Sequence, residues 1–163
     1  MIFTGYFEHT IDAKNRLAIP SRFRSRMDPE ADGKAFVIVP GQPPNTLWLY
    51  TERHFERLSA RADSALIPND DQLRFEQIFY PLAEILDLDT QGRILVPERM
   101  IVRAELSREV VICGVRDHAE IRPREGFDEQ VDEAWRHYRE SQLKAREVYQ
   151  ETRRQSGPEA GQA

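Results

Sequence analysis

Apolar and polar residues alternate with period two in two short segments of this chain, and recur with helical spacing in three longer ones. Arg16-Leu17-Ala18-Ile19 and Arg93-Ile94-Leu95-Val96 each predict a short β-strand with one buried face. Phe36–Val39 and Leu47–Tyr50 predict a hairpin, as do Val110–Cys113 and Ala119–Arg122. Pro20 and Pro97 end the first strands and suit the opening of short helices over Ser21–Arg26 and Glu98–Arg103. Helices are also predicted over Glu52–Ala65 (Phe55, Leu58, Ala62) and Asp70–Pro81 (Leu73, Ile78, Phe79), with Asp70 as the N-cap. The longest is expected from Gly126 to Arg153, carrying Phe127, Val131, Ala134, Trp135, Tyr138, Ala145 and Tyr149 on one stripe. Residues 155–163 are rich in Gly, Pro and Glu and are expected to form a disordered tail.

The chain repeats itself. IDAKNRLAIPSRFRSR (11–26) aligns without a gap on LDTQGRILVPERMIVR (88–103). Asp12 falls on Asp89, Arg16 on Arg93, Pro20 on Pro97, Arg22 on Arg99 and Arg26 on Arg103. Leu17, Ile19 and Phe23 meet Ile94, Val96 and Met100. The hairpins that follow also correspond, so the pattern is two pseudo-symmetric halves rather than a solenoid. We place the first at 1–82 and the second at 83–154, each reading strand, turn, strand, short helix, strand, strand.

Composition narrows the function. The chain has 163 residues, a formal net charge of -5 and 31% charged residues, with mean hydropathy -0.63. The longest uncharged apolar run is Val110–Val115, too short for a transmembrane helix, and the N-terminus shows no secretory pattern. Cys113, the one cysteine, is expected in a buried strand, and an intracellular location is the default. His9, His54, His118 and His137 lack metal-ligand spacing, and no nucleotide loop or nucleophile motif is present. Neither an enzyme, a metal nor a cofactor is expected.

An acidic total does not describe every face. Asp12–Arg26 holds Lys14, Arg16, Arg22, Arg24 and Arg26 against a single acid. Asp12 and Asp89 are expected to accept backbone N–H bonds in tight turns, with Gly92 supplying positive φ and Asn15 tolerating it. Each aspartate stands four residues before an arginine, so Arg16 and Arg93 could lock the turns, contact an anion, or do both. Lys14 is expected at an exposed turn apex, with uncharged Gln91 as its counterpart.

DAKNRLAIP and DTQGRILVP, each in a strand–turn–strand setting, resemble the DNA-binding module of the AbrB/MazE type. Two such modules in tandem, with the opening FTGYFEHTIDAKNRLAIPSRFR, resemble the MraZ family over about residues 2–135. The resemblance implies a double swapped-hairpin β-barrel of two pseudo-symmetric halves, to which the helical spacing adds peripheral helices and a long C-terminal helix, giving an α+β fold. It also implies a ring-shaped homo-oligomer in the bacterial cytoplasm, associated with the nucleoid. There it would regulate the division and cell-wall gene cluster through short direct repeats in double-stranded DNA, its own promoter included. Asn15 departs from the glycine usual in the family's first motif. On this reading Lys14, Arg16, Arg93 and Gln91 touch DNA, Arg22 and Arg24 extend the patch, and Asp12, Asp89, Asn15 and Gly92 shape the turns. The rival is an antitoxin-like interaction protein whose C-terminal helix binds a partner protein.

Overall fold

The computed structural model describes residues 1–42, 44–61 and 69–155. The expected tail beyond Gln155 and the end of the helix predicted to Ala65 therefore lie outside the described residues. Met1–Glu125 forms one compact unit, and a second begins at Gly126.

The first unit is mixed α+β. Each half supplies two strands around the predicted turn, a short helix and a hairpin. In the first half these are β1 (Tyr6–Thr10), β2 (Arg16–Ala18), α1 (Ser21–Arg24), β3 (Ala35–Pro40) and β4 (Leu47–Thr51). Helices α2 (Glu52–Arg61) and α3 (Asp70–Leu82) follow. The second half supplies β5 (Glu84–Asp87), β6 (Arg93–Leu95), α4 (Glu98–Arg103), β7 (Glu109–Val115) and β8 (His118–Pro123). Asn69, not Asp70, caps α3, its side chain accepting from Gln72 N–H at 2.8 Å. Either residue type can cap, and Asp70 contributes instead as an acid in the first turn.

The halves pair with each other more than with themselves. Six strands form an antiparallel sheet in the order β1-β7-β8-β4-β3-β5, while β2 and β6 form a separate two-stranded ribbon. Thus β1 joins the second half's hairpin and β5 joins the first half's. The registers agree: His9 faces Val110 as Leu86 faces Phe36. The central pairs Leu17–Ile94 and Trp48–Glu120 each join repeat-equivalent positions, as a pseudo-twofold through both pairs requires.

Phe36, Ile38, Val110 and Ile112 bury one sheet face with Leu17, Ile94 and Phe23, which come from the ribbon and α1. Phe23 meets Phe3 and Phe7 edge-on, at 5.0 and 5.3 Å between ring centres. Val37, Val39 and Tyr50 cover the opposite face, against Phe55, Leu58 and Phe79 of α2 and α3. A strand buried on both faces explains the unbroken apolar run of β3. Gly114 is required where the N-terminal segment crosses β7, because a Cβ there would fall on the Thr4 backbone nitrogen. Cys113 lies half-buried in β7, and burial pushes its thiol up to about 11.

The second unit corrects one expectation. The predicted helix from Gly126 to Arg153 is two helices, α5 (Phe127–Arg136) and α6 (Tyr138–Gln155), interrupted at His137 (φ -98, ψ 6). Trp135 and Tyr138 stack across the break at 5.9 Å, and Trp135 is 75% exposed.

Candidate nucleic-acid interface

Each repeated aspartate organises a turn through both carboxylate oxygens. Asp12 Oδ1 accepts the backbone N–H of Lys14 (2.8 Å) and of Arg16 (2.9 Å). Its Oδ2 accepts Nε and Nη2 of Arg16, each at 2.7 Å. The second turn repeats this: Asp89 Oδ1 takes the N–H of Gln91 and of Arg93, both at 2.9 Å. Asp89 Oδ2 takes Arg93 Nε at 2.8 Å and Nη2 at 2.7 Å. Asn15 (φ 59) and Gly92 (φ 74) hold the left-handed conformation at the same turn position.

These bonds set the electrostatics. The Arg16 side-chain bond, followed by the backbone bonds, brings the Asp12 carboxyl down to about 2. Arg93 lowers Asp89 in the same way. Both turns are therefore ion-paired throughout the physiological pH range. A guanidinium carries five N–H donors and the aspartate engages two, so three remain for another acceptor. Arg16 and Arg93 thus stand oriented and only partly consumed.

The two turns flank one surface. Ile19 N–H donates to Gly92 carbonyl (3.0 Å) and Val96 N–H to Asn15 carbonyl (2.9 Å), tying each turn to the other half's strand. In the ribbon Arg16 lies opposite Leu95, and Ala18 opposite Arg93. Leu17 and Ile94 point into the core, so Arg16, Ala18, Arg93 and Leu95 share the outer face. Diagonal positions of this kind stand roughly 7–8 Å apart, close enough for both arginines to serve one ligand surface. Lys14 and Gln91 are exposed at the two turn apices.

The remaining predicted cations divide. Arg24 donates Nε to Ile19 carbonyl at 3.0 Å, and a Cβ on Gly92 would come within 2.5 Å of its guanidinium. It is therefore packed over the second turn. Arg22 is exposed on α1 and has no ion pair among the described residues, whereas its repeat mate Arg99 pairs with Glu84. No group of His, Cys, Asp and Glu among the described residues is placed to hold a metal. No helix among them is long and apolar enough to cross a membrane.

Sequence reasoning passed over Leu95, although the alternation that puts Ile94 inside puts Leu95 outside, where it is 61% exposed. The packing of Arg24 on Gly92 had no local signal, because the two residues come from different halves.

Comparison with known proteins gives the family. The family profile described as "MraZ protein, putative antitoxin-like" matches residues 2–76 and 80–148. A transcriptional regulator MraZ from Clostridium tetani is 30% identical over 131 residues, covering 80% of this chain and 88% of that protein. Its namesake from Lactiplantibacillus plantarum is 36% identical over 120 residues, covering 74% and 81%. That from Ligilactobacillus salivarius is 32% identical over 133 residues, covering 82% and 89%. With the tandem Asp-x-x-x-Arg turns set into one interlocked unit and matches along both halves, this chain belongs to the MraZ family.

Proposed function

We propose that this protein is a transcriptional regulator, not an enzyme, that binds double-stranded DNA sequence-specifically through the outer face of the β2–β6 ribbon and its two flanking turns. The observation that carries the reading is the pair of arginines, Arg16 and Arg93, each held by its own aspartate with donors to spare on one exposed face. Such donors suit phosphate or guanine edges, and a two-stranded ribbon fits the major groove. Lys14 adds a phosphate contact at the first turn, and Gln91 a neutral polar one at the second; Arg22 extends the patch from α1. Asp12, Asp89, Asn15 and Gly92 hold the geometry.

The interlocked halves fit a double swapped-hairpin barrel of the AbrB/MazE type, built from modules 1–82 and 83–154. One chain makes few phosphate contacts, so a ring-shaped homo-oligomer on short direct repeats gains affinity through effective concentration. The expected target is the promoter region of the division and cell-wall cluster, this gene's own included, with the protein cytoplasmic and nucleoid-associated. Wild-type protein is to be titrated by fluorescence anisotropy with DNA from its own upstream region and with scrambled DNA, at two salt concentrations. Preference for the upstream DNA with a steep loss in salt supports the reading; equal binding of both contradicts it.

The rival reading, an antitoxin-like module that clasps a protein partner, draws on exposed Trp135, Tyr138, Leu143 and Tyr149 along α5 and α6. Under it, Lys14→Ala/Arg16→Ala leaves partner capture intact.

A further inference from the structure

We infer that Leu95 is a base-reading residue that recognises the C5-methyl group of thymine; the inference rests on the DNA-binding reading above. Leu95 ends β6 between two buried residues, Ile94 and Val96, which fix the strand and turn its side chain to the outer face. It is 61% exposed there, directly across the ribbon from Arg16. A leucine in this place is neither core nor cover for the core.

Its repeat mate is Ala18, opposite Arg93. The two ends of the ribbon therefore differ in chemistry although their backbones match. One end gathers Lys14, Arg16 and a large apolar side chain; the other gathers Gln91, Arg93 and a methyl-sized one. Arg16 can donate to a phosphate or to a guanine edge while Leu95 meets the one apolar group exposed on the major-groove edge of a base, the thymine methyl. An arginine alone leaves an A·T pair beside it poorly distinguished, whereas an adjacent leucine favours the strand orientation that brings thymine under it. Leu95 is thus a specificity residue, and Arg16 supplies the greater part of the affinity.

The test uses duplexes of the upstream DNA in which single thymidines are replaced in turn by deoxyuridine, which removes only the methyl. Full-length wild type, Leu95→Ala, Leu95→Met and Arg16→Ala are titrated against each. At one thymidine per site, wild type is expected to bind the deoxyuridine duplex roughly fourfold more weakly, the worth of one buried methyl-sized group. Leu95→Ala should bind both duplexes alike, Leu95→Met should restore discrimination, and Arg16→Ala should bind both more weakly while keeping the ratio. Thermal melts of Leu95→Ala and Leu95→Met should match wild type, because Leu95 is exposed. Uniform wild-type binding to every substituted duplex overturns the assignment to Leu95 but not DNA binding. So does methyl discrimination that survives Leu95→Ala. Failure of wild type to prefer its upstream DNA at all overturns the DNA-binding reading, and this inference with it.

Discussion

One aspartate side chain sets the form of each turn by accepting two backbone N–H groups on one oxygen and an arginine on the other. Two views of Asp12 predict opposite signs. If only charge mattered, Asp12→Ala would tighten DNA binding by removing an anion near phosphate. If Asp12 orients Arg16, the same change weakens binding, by roughly tenfold, a shift titration resolves readily. The acid titration has a definite direction. Because the folded pKa of Asp12 lies near 2 rather than at its ordinary value of 3.8, the turn's stabilisation is complete above the ordinary value. It fades as pH falls through about 2. Carboxyl NMR should find the Asp12 midpoint near 2, and an unshifted midpoint contradicts the pairing. The two left-handed turn positions respond differently to substitution. Gly92→Ala combines a positive φ with a clash on Arg24 and should cost about 1–2 kcal/mol in denaturant unfolding. Asn15→Gly should change stability by less than about 0.5 kcal/mol.

Among the elements, the ribbon holds its outer face steady because Leu17 and Ile94 anchor it from beneath and Phe23 anchors α1 beside it. Phe23→Ala removes two edge-on aromatic contacts in a fully buried site and should cost about 3–5 kcal/mol. On β8, burial works to lower the His118 pKa, but the carboxylates of Glu120 and Asp117 outweigh it and raise the value above 6.5. The stabilisation from its protonated form is therefore complete below 6.5 and disappears as pH rises through the folded value. Burial lowers His9 and His54, so proton NMR should find His118 above 6.5 and these two below it.

Much of this level was legible in the chain. Period-two alternation located β2 and β6, and the duplicated Asp-x-x-x-Arg spacing located both turns. Pairing between the halves was not, because register across some 77 positions, the offset between Arg16 and Arg93, leaves no local trace. The break at His137 was missed because neither proline nor glycine marks it within the stripe from Phe127 to Tyr149.

At the scale of the molecule, a net charge of -5 coexists with an arginine-bearing ribbon face because neither β2 nor β6 contains an acid. Affinity for DNA should accordingly be local to that face and strongly salt-dependent, each phosphate contact adding roughly 0.9 to the slope of log affinity against log salt. The most direct test is the anisotropy titration of upstream DNA with Lys14→Ala/Arg16→Ala beside wild type, with fold and oligomeric state checked by circular dichroism and size-exclusion chromatography. The predicted result is a folded variant of unchanged size that binds the upstream DNA far more weakly than wild type and with a shallower salt slope. A folded variant that binds as tightly and as selectively as wild type would contradict the account, leaving the Asp–Arg turns a structural device alone.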